Sequence, residues 1–133
     1  MPEIYMLDTD VCSYIIKKRP AGLKETFLKH KNDAICISAV TYAELLYGLE
    51  KNPSDKLERA IDEFVALVRI IDWNNAAARK YAKIRHAMTQ KGLLTGSLDM
   101  QIAAAAIAAG AQLVTNNKKH FEKIEGLRIA DWI

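Results

Sequence analysis

Four stretches far apart in the chain each carry an acidic or amide side chain suited to a divalent cation. They are Leu7-Asp8-Thr9-Asp10 after a short apolar run, Glu44 within Ala43-Glu44-Leu45-Leu46, Asp99 at the head of an alanine-rich segment, and Thr115-Asn116-Asn117 after another apolar run. Carboxylates gathered with no positive side chain among them repel one another, and a divalent metal relieves that repulsion. Magnesium and manganese take oxygen ligands and keep several waters, so a few carboxylates and a substrate phosphate complete the shell. Mg2+ is therefore the expected cofactor, with Mn2+ as its substitute. The chemistry of such a centre is hydrolysis of a phosphodiester by activated water, which leaves 5′-phosphate and 3′-hydroxyl ends.

Each of these residues also has a simpler explanation. Asp8 or Asp10 before a helix serves as an N-cap, worth about 1 kcal/mol, yet capping accounts for one of the two acids and not the other. Asp99 in a first helical turn meets the macrodipole favourably by about 0.3–1 kcal/mol, and capping alone is sufficient for it. Glu44 interrupts a segment otherwise carrying Val40, Ala43, Leu45, Leu46, Tyr47 and Leu49. A carboxylate buried in such a helix costs several kcal/mol without a partner, and no Lys or Arg lies within one turn, which favours a metal. Asn116 and Asn117 are natural turn residues that also orient water or phosphate without adding charge.

The elements that must position these groups follow from periodicity. Ile4 to Leu7 reads as a strand, and Val11, Tyr14 and Ile15 recur at helical spacing up to Pro20. A second helix is expected over Leu23 to Lys31, a buried strand over Ala34 to Ser38, and a helix over Val40 to Leu49 that is apolar nearly all round and so expected to be buried. Ser54 or Asp55 opens an amphipathic helix with Leu57, Ile61, Phe64, Val65 and Val68 on one stripe, before a short strand at Arg69 to Ile71. Asp72 to Asn75 caps a helix running to Gly92 whose inward face is Tyr81, Ile84 and Met88. Leu98 to Ala109 is a helix of small residues stopped by Gly110, followed by a strand at Gln112 to Thr115, a turn of helix at Lys118 to Phe121 and an edge strand at Arg128 to Ala130. Strands alternating with helices give an α/β/α layered domain with a short parallel sheet, whose ligands bind at the carboxyl ends of the strands. Asp8 and Asn117 come just after strand ends; Glu44 and Asp99 must reach the same edge from neighbouring helices.

Length and composition set the frame. The 133 residues are expected to form one domain, 1–133, with 50% apolar and 26% charged residues, the balance of an ordered soluble protein. No basic stretch followed by an apolar core opens the chain and no run of about 18 apolar residues occurs, so a cytoplasmic protein without membrane contact is expected. Cys12 and Cys36 read as buried thiols, and His30, His86 and His120 stand too far apart in sequence for zinc. The net charge of +3 is modest. Its distribution matters more: Lys17, Lys18 and Arg19 close the first helix, Arg79 to Lys91 form a basic run, and Lys118 and Lys119 follow the last site candidate. Cations around an acidic centre suit RNA.

Taken together, the motifs resemble the PIN domain, and more narrowly the VapC toxins of bacterial toxin–antitoxin pairs. Met6-Leu7-Asp8-Thr9-Asp10-Val11 is similar to the family's Leu-Asp-Thr-Asn/Ser opening. Ser38-Ala39-Val40-Thr41-Tyr42-Ala43-Glu44-Leu45-Leu46-Tyr47-Gly48 resembles its Ser-x-x-Thr-x-x-Glu-Leu-x-x-Gly block, and Gly96-Ser97-Leu98-Asp99-Met100-Gln101-Ile102-Ala103-Ala104 its Gly-x-x-Asp-x-x-Ile-Ala-Ala helix. The tail, Leu113 to Asn117 with His120-Phe121 and Gly126-Leu127, resembles the family's ending. The resemblance implies a metal-dependent endoribonuclease acting on tRNA or another structured RNA, restrained by a cognate VapB-like antitoxin and forming a homodimer. Asp8, Glu44 and Asp99 match its acidic metal site, and Asn117 its fourth, often acidic, catalytic position. Two departures are evident: Asn117 is neutral and Asp10 is acidic where the family more often has the reverse.

Three other readings compete. Asp8-Thr9-Asp10-Val11 also resembles haloacid-dehalogenase-type phosphotransferases, with Asp8 as nucleophile, but too little chain follows Asn116 for their later motifs. A metal-free nuclease built on His120 with Lys118 or Lys119 lacks an evident second histidine. A module that binds RNA or a protein partner through an inactive site is the non-enzymatic alternative. No Gly-rich phosphate loop is present.

Overall fold

The computed structural model describes residues 3–30, 33–93 and 96–133. Five strands and seven helices follow one another as β1 (Ile4–Leu7), α1 (Thr9–Lys17), α2 (Leu23–Lys29), β2 (Ala34–Ser38), α3 (Ala39–Lys51), α4 (Asp55–Val65), β3 (Arg69–Ile71), α5 (Asn75–Gln90), α6 (Ser97–Ala109), β4 (Gln112–Val114), α7 (Lys118–Phe121) and β5 (Ile129–Ala130). Every element expected from periodicity is present. The ends differ by a few residues, as the last turn of α1 unwinds at Lys18. The expected end of α2 at Lys31 lies outside the described residues.

All strand pairs are parallel, in the order β3-β2-β1-β4-β5. The chain winds outward from β1 through β2 to β3, then returns to the other side of β1 for β4 and β5. That reversal leaves a crevice at the carboxyl ends of β1 and β4, the place where open parallel sheets bind ligands. Register fixes its floor, because Leu7 pairs with Val114 and Val114 with Ala130.

Alternate strand residues feed two cores. Leu7, Ile35, Ile37 and Val114 meet Val11 and Ile15 of α1, Leu23 and Phe27 of α2, Leu45 of α3 and Phe64 of α4. Met6, Cys36 and Leu113 meet the other layer, formed by Ile84 and Met88 of α5, the alanines of α6, and Phe121 and Ile124. Small side chains let α6 lie close to both the sheet and α5, and Ala103, Ala104 and Ala106 have no exposed surface at all. Cys12 and Cys36 are free and buried, and burial pushes the Cys36 thiol up to about 11, so neither is a thiolate at neutral pH.

One expectation fails. Helix α3 is not enclosed: among its residues Thr41 and Leu45 are buried, whereas Leu46 and Tyr47 stand exposed, Tyr47 at 62%. The sheet covers one stripe of the helix and α1 and α4 cover its flank, leaving the remaining apolar side uncovered.

The tight α6 interface predicts that Ala104→Leu, which inserts three carbon atoms where no space exists, destabilises the protein by about 1–3 kcal/mol. Urea unfolding would measure it; an unchanged midpoint would mean that α6 does not pack as described.

Candidate functional site

The crevice between β1 and β4 is built around Asp8. Its side chain is the N-cap of α1, with Oδ1 accepting the Val11 N–H at 2.8 Å, and its own N–H donates to the Val114 carbonyl at 3.1 Å. The carboxyl is 4% exposed. The Thr115 hydroxyl hydrogen-bonds to it and is itself oriented by the Asn117 N–H, which donates to Thr115 Oγ1 at 2.9 Å. Burial raises the Asp8 pKa to about 6, with the Asp10 and Asp99 carboxylates pushing the same way and the bonds from Thr115 and Val11 opposing. The residue therefore does what capping requires and also holds a carboxyl that prefers a proton or a cation to a bare charge.

Asp99 reaches the crevice from the first turn of α6, where Gly96 is the N-cap and offers no side chain. Its Oδ2 lies 3.5 Å from His120 Nδ1 on α7. Asp10 points outward from α1 and accepts the Asn117 side-chain amide on Oδ2 at 3.1 Å. The amide thus bridges β4's end to α1, and the acid at position 10 faces the neutral residue at position 117. The structure therefore brings together Asp8, Asp10, Asp99, Asn117, Thr115 and His120.

Glu44 is held differently. The Thr9 hydroxyl donates to Thr41 Oγ1 at 3.2 Å, which ties the start of α1 to α3 one turn before Glu44. The glutamate is partly exposed, not enclosed, and lines a cleft of about 350 Å³ with Thr9, Ser13, Ile16 and Leu57. The expectation that it is a buried carboxylate requiring a counter-charge is corrected accordingly: the open side of α3 lets water solvate it. Thr9, next to Asp8, is the residue that this cleft shares with the start of the acidic crevice.

Sequence reasoning named Thr115 within a site stretch and His120 for metal-free cleavage but gave neither a place beside the acids. Thr115 ends the strand expected over Gln112 to Thr115, and only the register of β4 against β1 sets its hydroxyl on Asp8. His120 stands apart from the other histidines in sequence, yet its Nδ1 lies 3.5 Å from Asp99 Oδ2, so an imidazole stands among the acids that the sequence shows without a positive neighbour. Its spacing after Asn117, one turn along α7, was the available signal. Of the other histidines, His30 stacks on Trp132 at 4.4 Å and bonds Asp33, and His86 is exposed on α5. The second histidine required for metal-free cleavage is thus absent among the described residues.

Among the described residues no three His, Cys, Asp or Glu side chains converge into a ready cation cage. Asp8 and Asp99 with water and phosphate match a hard cation that keeps part of its hydration shell, and the donors are oxygens, so the residues fit magnesium or manganese and not a zinc cage.

A five-stranded parallel sheet with an acidic crevice at its switch point is the architecture of a PIN domain, and the PIN-domain model matches residues 5–127. The chain belongs to that family. It is 39% identical over 129 residues to a tRNA(fMet)-specific endonuclease VapC of Shigella flexneri, covering 96% of this chain and 97% of that protein. With ribonuclease VapC2 of Rickettsia felis it shares 40% identity over 131 residues, 97% of this chain and 98% of the other. Among solved structures, VapBC2 from Rickettsia felis bound to promoter DNA superposes with a TM-score of 0.92 at 37% identity, covering 98% and 99% of the two chains. DNA-bound VapBC from Salmonella typhimurium gives 0.88 at 36% identity over both full chains. Ribonucleases of this family in general require a divalent metal.

The raised pKa of Asp8 has a defined consequence. The unfolded carboxyl loses its proton near 3.8 and the folded one near 6, so between these values the native state holds the extra proton and stability falls as pH rises, then levels off. Asp8→Asn keeps the capping oxygen and removes the charge. In metal-free protein the stability of wild type minus that of Asp8→Asn should fall by roughly 2–3 kcal/mol from pH 4 to pH 7, read by urea unfolding across pH. A pH-independent difference would remove the buried-carboxyl account.

Proposed function

We propose that this chain is a divalent-metal-dependent endoribonuclease, the toxin of a toxin–antitoxin pair, acting on tRNA in the cytoplasm as a single domain spanning 1–133. The observation that carries the reading is the buried Asp8 carboxyl beside Asp99 at the β1–β4 crevice. A carboxyl so buried that its pKa rises, with two further acids nearby, gains from a cation that neutralises it. The substrate class is supported by the tRNA(fMet)-specific relative at 39% identity. A VapB-like antitoxin is supported by the solved complexes that superpose along nearly the whole chain.

Asp8 and Asp99 would hold Mg2+, or Mn2+ in its place; Glu44, which lines the neighbouring cleft, would complete the acidic set only by moving toward them, since the three do not converge among the described residues. Bound there, the ion supplies Lewis-acid activation of water and charge neutralisation on phosphate. Thr115 fixes the carboxyl plane of Asp8, and Asn117 fixes Thr115 through its N–H. The Asn117 side chain holds Asp10 to one side of the crevice, as a catalytic neighbour that adds no charge. Water adds to phosphorus, the bond to O3′ breaks, and that oxygen departs as a hydroxyl, leaving the 5′-phosphate on the downstream fragment. The phosphotransferase reading is displaced by family membership and by the exposed, amide-bound position of Asp10.

No helix is long and apolar enough to cross a membrane among the described residues. The uncovered Leu46 and Tyr47 of α3 offer apolar area to a second copy in a homodimer. The cleft between α1, α3 and α4, floored by Ile16, Leu45, Leu57 and Ile61, suits the apolar face of an antitoxin helix.

Purified protein free of antitoxin should cut tRNA at discrete positions in Mg2+ or Mn2+, leaving 5′-phosphate ends, with activity lost to chelator and reduced at least 100-fold in Asp99→Asn. Cleavage that survives chelator, or ends carrying cyclic phosphate, would discard the mechanism; binding without cleavage in either metal would point to the non-enzymatic module. As a check on the site, metal binding should weaken as pH drops below about 6, where Asp8 retains its proton, when followed by calorimetry at fixed ionic strength.

A further inference from the structure

The cleft beside Glu44 does not end there. It shares Ile16, Lys17 and Leu57 with a wider groove of about 510 Å³ running between the end of α1 and the start of α4. That groove is rimmed by Lys17, Lys18, Arg19, Lys56 and Arg59, with Glu63 as its one carboxylate. All five cations are exposed, and among the described residues none takes part in an ion pair. Two exposed cations elsewhere are neutralised locally, Lys118 by Asp131 at 3.1 Å and Arg128 by Glu3 at 2.9 Å; Arg79, Lys80, Lys83, Arg85 and Lys91 on α5 are exposed and, among the described residues, as unpaired as the rim, but the rim cations are the ones gathered around a groove. A concentration of unpaired positive charge at the mouth of a groove attracts a polyanion.

The backbone adds a second observation. Lys18, the C-cap of α1, is the one non-glycine residue with positive φ among the described residues, at φ 59° and ψ 38°. Glycine fits this left-handed position without strain. The chain instead carries a lysine there, at the centre of the cationic rim.

We propose that the α1–α4 rim is a second RNA-binding subsite, which grips the phosphate backbone away from the scissile bond. The proposal rests on the nuclease reading and deepens it by locating where the substrate extends. Helix α1 has nine residues and is therefore about 14 Å long, so a strand held at Lys17 to Arg19 reaches the acidic crevice within a few nucleotides. Those phosphate contacts bind ground state and transition state alike, so their loss raises KM and leaves kcat near its original value.

The test uses full-length protein without antitoxin. Binding to a deacylated tRNA pool is measured in chelator, by anisotropy over a range of salt, in the Asp99→Asn background; cleavage kinetics are measured without that substitution. Lys18→Gly is the key variant, because it removes a charge while giving the left-handed position the residue it favours. It is combined with Arg19→Gln and Arg59→Gln, and compared with Lys83→Gln plus Lys91→Gln on α5 across the sheet. The rim variant should bind about tenfold or more weakly, with the slope of log K against log salt smaller by about 0.7–0.9 for each lost contact, and with KM raised while kcat holds. An unchanged slope in protein that still cleaves tRNA overturns the subsite and leaves the nuclease intact. An equal loss in the α5 control overturns it in favour of diffuse attraction. Weakened antitoxin binding with an unchanged RNA slope overturns it and assigns the rim to an acidic protein partner. Wild-type protein that neither binds nor cleaves any tRNA defeats the nuclease reading, and the subsite with it.

Discussion

The structure turns on one carboxyl group that must be polar and buried at once. Asp8 closes the amino end of α1 by accepting a backbone hydrogen bond, and the same side chain lies beneath the crevice where the strand order reverses. A neutral cap would serve the helix as well. Placing an acid there costs desolvation free energy, and the same burial raises its pKa. The groups near it are linked to it: Thr115 donates a hydrogen bond, Asn117 orients Thr115, and the Asn117 side-chain amide donates to Asp10.

The division of labour between the two helical layers follows from the alternation of the strands. The α5–α6 layer is made rigid by alanine and closes one face without contributing more than Asp99 and, through α7, His120. The α1–α4 layer carries the two wider clefts, the basic rim and the uncovered side of α3.

Much of this was legible in the sequence, for identifiable reasons. The strands were readable because buried parallel strands are short apolar runs, and the helices because Ser54, Asn74 and Gly110 mark their ends. Asp8 and Asp99 stood out as acids next to apolar runs. Contacts across the sheet were not readable: the placement of Thr115 depends on the pairing of Leu7 with Val114, and the meeting of His120 with Asp99 depends on how α7 folds back over α6. The environment of Glu44 was misjudged for a related reason. An apolar composition does not say how much of a helix its neighbours cover, and α3 has neighbours on too few sides to bury Leu46 and Tyr47.

The two edges of the sheet carry a last implication. Strand β3 has three residues and β5 has two, so neither presents enough free backbone to template a further strand. Association by sheet extension, within a pair of copies or in an uncontrolled aggregate, has no foothold on either side. The surface left for association is that of the helices and loops, whose side chains can change while the β-scaffold stays as it is.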